Sequence, residues 1–473
     1  MRIDFGEVRS ILHGERTEDN WELLCETLDV LKDEPGVELE ALLHYAAQEL
    51  ERWPSSLRVM PKRWLTRLMA GRRAEFAALA RVVSLRNWRV EDAQLKALVA
   101  SEALAGVEEL DLNNAIRDAT LEALMTSPKL GRLKTLRLQN NALSMRDAGD
   151  PARWLRQSAC APVLERLMLG FNHLNDQDLE ALASVELGRL RALELHSNQI
   201  TQIAPLFRSQ QLAELEVLSL KWNKLADLPE ALASSMLRGL TTLDLTATGL
   251  DARAARGFAE SQAMPRLATL KLGENPGLGD AGLQALAGAR WMEGLRSLSL
   301  AATGVHAAGL AMLAERGLLA GVTHLNLMAS PGVNDAALEV LSRPGAMPAL
   351  RSLNLSTTQV SARGLHALVN AEWAGQLEVL QLERCALGDE GARVLAEASG
   401  LRGLRTLLLG WCEIGDEGAI ALSQTSWLET IGEGLVLEGR GVSPETWLVM
   451  SMSSRAAEGL ARRWRQRAAQ SLT

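Results

Sequence analysis

The chain has 473 residues, 47% of them apolar and 23% charged, which excludes a disordered tail and a coiled-coil rod. Its formal charge is −8, against a nucleic-acid footprint spread over the whole surface, and the charge is uneven. Residues 1–60 hold 14 acids and 6 bases, so the remainder sums to zero. No apolar run reaches the roughly 18–20 residues of a membrane span, and MRIDFGEVRS at the start has no apolar signal core. The four cysteines, Cys25, Cys160, Cys385 and Cys412, are scattered without a CxxC, which fits neither a disulfide framework nor a zinc knuckle. A reduced, cytoplasmic protein without metal or cofactor is the expectation.

The first segment, residues 1–75, is predicted to be helical. One helix runs from about Asp19 to Lys32 and closes at Asp33-Glu34-Pro35-Gly36; a second runs through Val37–Arg52 and stops at Trp53-Pro54. A basic segment, Lys62–Arg81, follows. This region serves as a cap or companion to what comes next, covering an otherwise open sheet edge.

From residue 76 to about 445 the chain repeats itself. LKTLRLQNNAL at Leu133 is followed by LERLMLGFNHL, LRALELHSNQI, LEVLSLKWNKL and LTTLDLTATGL, and the pattern LxxLxLxxNxL continues to LRTLLLGWC. Its fourth position falls on Leu110, Leu136, Leu167, Leu193, Leu218, Leu243, Leu270, Leu298, Leu325, Leu353, Leu380, Leu407 and Leu435, with Val83 one period upstream. That makes about 14 units of about 27 residues. Each LxL is a short strand with both leucines inward, and each unit returns through an amphipathic helix such as Asp178–Ala183. One unit cannot bury its apolar face alone, so the units must stack. The ninth position carries Asn141, Asn172, Asn198, Asn223 and Asn275, whose amides can satisfy turn backbone; Thr248, Thr303, Ser330 and Thr358 substitute. Cys385 and Cys412 take the same slot, which predicts buried structural thiols.

The period, with the GD[AE]G helix starts at Gly279, Gly388 and Gly415, resembles leucine-rich repeat proteins of the ribonuclease-inhibitor type. The Ala/Arg-rich linkers SPKLGRL and ASVELGRL look like bacterial members, and RRAEFAALA (Arg72–Ala80) faintly resembles the end of a small helical domain that accompanies such repeats. The resemblance implies an α/β solenoid, a horseshoe with a parallel concave sheet, helices on the convex side and helical caps. It implies a binding scaffold and names no substrate.

Signs of catalysis are sparse. Gly277–Gly282 spells GxGxxG, but every unit already runs strand, loop, helix, and two of the glycines belong to the repeat's own motif. There is no GxxxxGK[ST], HExxH or GxSxG, and the seven histidines lack metal-ligand spacing. One catalytic alternative needs only an arginine: some proteins of this class activate a small GTPase. The interval Leu136–Leu167 is 31 residues, and its excess, Ser144–Pro151, carries Arg146. Residues 446–473 end in a basic segment, Arg455–Arg467 with Trp464 among the arginines, read as a capping helix and as the one candidate for anionic lipid or nucleic acid.

A protein partner is expected on the concave face, on side chains flanking the strand leucines. The N-terminal group is centred on Trp222, with Phe171, His196, Lys221 and Arg137 around it; Arg384 and Trp411 mark a second zone. Strand spacing would set Phe171 and Trp222 about 10 Å apart, with Ser197 between them. Interface energy concentrates in Trp, Tyr and Arg, and this chain has twelve Trp, five Phe and one Tyr, so an aromatic on an open face carries information.

Overall fold

The computed structural model describes residues 5–32, 38–116, 118–143, 152–233, 236–261 and 264–425, and beyond these 427, 431, 434–437, 442–443 and 445–446. Among the described residues, fourteen parallel strands follow one another in chain order in one open sheet. They are β1 (Val82–Ser84), β2 (Glu109–Asp111), β3 (Thr135–Arg137), β4 (Arg166–Met168), β5 (Ala192–Glu194), β6 (Val217–Ser219), β7 (Thr242–Asp244), β8 (Thr269–Lys271), β9 (Ser297–Ser299), β10 (His324–Asn326), β11 (Ser352–Asn354), β12 (Val379–Gln381), β13 (Thr406–Leu408) and β14 (Leu435–Val436). A leucine-rich repeat solenoid is therefore the fold. The chain forms two compact units, residues 1–201 with 209–219, and residues 202–208 with 220–473.

Within each unit the register pairs the central leucines directly: Leu110 with Leu136 and Leu193 with Leu218 in the first, Leu243 with Leu270 and Leu380 with Leu407 in the second. These leucines and those two positions on, such as Leu112 and Leu245, are buried, as are the helix leucines Leu179, Leu283 and Leu395. Two sets of leucines, one from the strands and one from the helices, make a continuous core. A strand of three residues suffices because its central leucine and the leucine just past its end are both buried, and the stack supplies the rest.

The ninth position works as anticipated. Asn172 Oδ1 accepts from the amides of Asn141 (3.0 Å) and Leu143 (3.1 Å), while Nδ2 donates to the carbonyls of Leu138 and Leu169. Asn275 repeats this with the amides of Thr248 and Leu250 and the carbonyls of Leu245 and Leu272. Where the residue is shorter, only the donor half survives. Thr303 Oγ1 donates to Leu300 O, Cys385 Sγ to Leu355 O and Cys412 Sγ to Leu382 O. Both thiols are buried, and burial pushes the Cys412 thiol up to about 12, which removes the thiolate needed for metal or redox chemistry.

The GD[AE]G motif is a joint between consecutive repeats. Asp389 Oδ1 accepts from the amides of Gly415 (2.7 Å) and Gly418 (3.0 Å) one repeat on. A Cβ at Gly418 would lie 2.6 Å from that oxygen, and one at Gly364 would lie 2.5 Å from Asp335 Oδ1. Asp335 in turn accepts from the amide and hydroxyl of Ser361, and Asp280 from the amide of His306. Buried tryptophans form a second tie: Trp373 Nε1 donates to Leu341 O and Trp427 Nε1 to Leu395 O, each satisfying a carbonyl near a helix end.

Ahead of the repeats lie α1 (Phe5–His13), α2 (Glu18–Leu31), α3 (Leu39–Leu50) and α4 (Lys62–Met69). The first predicted helix is thus found almost residue for residue, with Thr17 capping it through Asn20 N. Within the basic segment, α4 stops at Met69 and Gly71 turns with φ +69°. Met60 N donates to Val82 O and Arg81 N to Arg58 O, so the outer side of β1 already carries backbone partners. Arg58 is buried, donating to Leu79 O (2.8 Å) and Leu50 O (3.1 Å), and burial, with Arg81 nearby, pushes its guanidinium down to about 10. Residues 144–151, with Arg146, and residues 447–473, with the basic segment, lie outside the described residues.

Candidate functional site

The open face of the sheet carries a feature that repeats with each unit. Among the described residues, the one two places after the strand leucines has a left-handed backbone: Asn87, Asn114, Asn140, Phe171, Ser197, Trp222, Ala247, Glu274, Ala302, Ala329, Thr357, Arg384 and Trp411 all have φ between 53° and 63°. The chain leaves the strand here, yet the amide still donates to the next repeat; Phe171 N reaches His196 O and Trp222 N reaches Thr246 O, both at 2.9 Å. Keeping that bond while turning away requires positive φ. Glycine or asparagine takes this conformation cheaply, whereas bulky residues take it at a cost on the order of 1–3 kcal/mol. Four of the seven residues singled out from the sequence, Phe171, Trp222, Arg384 and Trp411, occupy this position.

In the first unit the structure brings Phe171 and His196 together, edge to face, with ring centroids 5.0 Å apart. The imidazole fits because residue 170 is glycine; any Cβ there would overlap the ring. Around it runs a network of polar side chains. Gln139 Nε2 is 3.2 Å from both Glu194 Oε2 and His196 Nε2, and Gln139 Oε1 accepts from Asn113 Nδ2. Arg137 Nε donates to Glu109 Oε1 at 2.7 Å, with Nη1 against Met168 Sδ. Arg137 and His196 are therefore already engaged within this face, and Phe171 stands 49% exposed beside them. An ordered network of this kind presents its polar groups without a fresh entropic cost.

In the second unit Lys221 and Trp222 form a stacked pair, with Lys221 Nζ 4.0 Å from the indole centroid. Trp222 Nε1 donates to Glu274 Oε2, two repeats away. The indole is thus clamped by a cation on its face and a carboxylate at its N–H. Lys221, expected beside Trp222 in the partner zone, holds its ammonium over the ring. Arg384 and Trp411 hold the equivalent backbone position in two consecutive repeats, and Trp411 is 53% exposed.

Sequence reasoning missed the left-handed row and the groups that brace the aromatics, Gln139, Glu194 and Glu274. The run Asn87, Asn114, Asn140 was the available signal for the row, because asparagine is the side chain that tolerates this conformation best. The glycines of GxGxxG are consumed by packing: Gly279 N donates to Thr303 O, and a Cβ at Gly282 would overlap Leu278. Among the described residues no cluster of His, Cys, Asp or Glu is arranged to hold a metal ion, and no helix is long and apolar enough to cross a membrane.

Residues 377–396 and 402–423 match the Leucine Rich repeat family. No curated protein matches the chain. Among solved structures, the chain is similar to the crystal structure of an internalin (inlF) from Listeria monocytogenes str. 4b F2365, with 20% sequence identity, a TM-score of 0.47, and coverage of 78% of this chain and 92% of that one.

Proposed function

We propose that this chain is a non-enzymatic, cytoplasmic scaffold that binds a protein partner on the open face of its sheet. Residues 76–445 are the binding array, and residues 1–75 cover its first strand. The pairing of Met60 with Val82 supports the role assigned to the first segment.

One observation carries the reading. Three exposed aromatic side chains on the open face, Phe171, Trp222 and Trp411, all stand on left-handed residues. Nothing in the fold requires a ring there, since Ser197 and Ala247 serve at the same position. Exposed aromatics of this kind, Phe171 and Trp222 braced by their neighbours, are what an interface anchor needs, because ring burial is gained without freezing a flexible side chain. Trp222 is the principal anchor of the second unit, and Phe171 with His196 that of the first.

Paired affinity capture tests this. Wild-type protein and the Phe171→Ala, Trp222→Ala and Trp411→Ala variants are used as parallel baits, with thermal midpoints measured alongside. A partner retained by wild type and lost from Trp222→Ala at an unchanged midpoint supports the reading. Equal retention by all three variants overturns it.

A further inference from the structure

Helix α2 leaves one of its faces exposed. On a helical wheel Asp19, Glu22, Leu23, Glu26 and Val30 fall within about 100° of one another. The opposite side, Trp21, Leu24, Cys25, Leu28 and Leu31, is buried. Leu23 is 44% and Val30 48% exposed, two of the most exposed large apolar side chains among the described residues. Carboxylates border them. Glu22 is 3.3 Å from Arg63, whereas Asp19 and Glu26 extend from the exposed side of the helix. Such a face suits a basic amphipathic segment: arginine stems cover the aliphatics while their guanidinium groups reach the carboxylates.

This chain carries one such segment. Residues 453–473 hold five arginines and one glutamate. Ala457, Leu460, Ala461, Trp464 and Ala468 recur at i, i+3, i+4, i+7 and i+11, the spacing of one helical stripe, with Arg463 and Arg467 on one flank and Arg465 on the other. Residues 19, 22, 23, 26 and 30 have the same spacing. Acid borders the apolar stripe in one segment and base borders it in the other.

We propose that the Leu23–Val30 face of α2 is a docking site for the basic segment 453–470 of a second copy of this chain. The charge balance favours this occupant: the net −8 of residues 1–60 is the whole of the chain's formal charge excess, and the segment returns +4. With few apolar side chains to bury, the contact is weak and electrostatically assisted, dissociating in the micromolar range or above.

Sedimentation velocity on the full-length chain tests it. Wild type should self-associate reversibly as concentration rises through about 10–100 μM, and less so in 0.5 M salt. Asp19→Lys/Glu26→Lys and Arg463→Glu/Arg467→Glu should each remain monomeric with wild-type thermal midpoints. An equimolar mixture of these two should form a one-to-one pair, since the reversed helix faces no longer repel every tail. Leu23→Ser should weaken wild-type association without altering charge. A wild-type chain that stays monomeric over this range overturns the proposal. So does a mixture that fails to pair, which is also the result if the segment engages anionic lipid or another protein instead. None of these variants touches Phe171, Trp222 or Trp411, so the outcome is separate from that of the open-face experiment.

Discussion

The indole N–H of Trp222 reaches the carboxylate of Glu274 at 3.4 Å, two repeats on, with Ala247 at the equivalent backbone position in the repeat between them. Both residues stand on left-handed backbone, so one strained position braces another. Replacing Trp222 by Asn should keep the backbone conformation and relieve strain. Partner affinity should then fall by at least thirtyfold, about 2 kcal/mol, while the thermal midpoint holds or rises. A fall in midpoint without loss of binding would make Trp222 a structural residue only.

Thr357 is the β-branched member of the left-handed row, with φ of 60°. Threonine is the poorest of the row's residue types for this conformation. Thr357→Asn should stabilise the protein by about 1 kcal/mol, read from the urea midpoint at constant slope. An unchanged or lowered midpoint would show that the hydroxyl or the branched side chain is doing something the geometry does not reveal.

Leu218 and Leu298 are buried at the centres of β6 and β9. Leu→Ala at either should cost about 2–5 kcal/mol, and neighbouring repeats should unfold with the damaged one. Calorimetry showing wild-type melting for both would contradict their place in the core.

Gly418→Ala would drive a methyl group into Asp389, Ala392 and Ile414. The expected loss is about 1–3 kcal/mol. Asp389→Ala removes the acceptor for two amides and should cost a similar amount, about 1–3 kcal/mol. Because the methyl group and the carboxylate compete for one space, the double variant should lose less than the sum. Simple additivity in a double-mutant cycle would separate the two residues.

The Asp416 carboxyl is held below its usual 3.8, first by the backbone amide of Ser443, which it accepts at 2.7 Å. A carboxylate with a lowered folded value stabilises fully above the unfolded value and loses that contribution as pH falls through the folded one. The stability gap between wild type and Asp416→Asn should therefore be constant above about pH 5 and shrink below the unfolded value of about 4. Thermal midpoints across that range would show it, and a gap that widens with acid would reverse the assignment.

The strands were legible because LxL imposes an alternation that only one orientation can bury, and Leu136, Leu243 and Leu407 fall where that alternation puts them. The ninth position was legible too: Asn, Thr and Cys share the ability to donate to a carbonyl, and Asn172 and Cys412 do so. The left-handed row was not. The sign of φ follows from a hydrogen bond to the next repeat, and the side chains there, from Ala247 to Trp411, share no chemistry that would announce it. Nor could the clamp on Trp222 be read, since Glu274 lies 52 residues away. The sequence named the exposed aromatics but not what orients them.

At three junctions a carboxylate at the start of one repeat's helix meets a glycine at the start of the next. Gly309, Gly364 and Gly418 leave room for Asp280, Asp335 and Asp389, each from the preceding repeat. A repeat that carries both the glycine and the aspartate, as Gly415–Gly418 does with Asp389 before it and Ser443 after it, can accept the unit before it and seat the unit after it. Gene duplication or loss by whole repeats can thus lengthen or shorten such a stretch without leaving a mismatched seam, whereas a deletion of half a repeat strands an aspartate against the wrong surface. The array can vary in length far more readily than it can vary in phase.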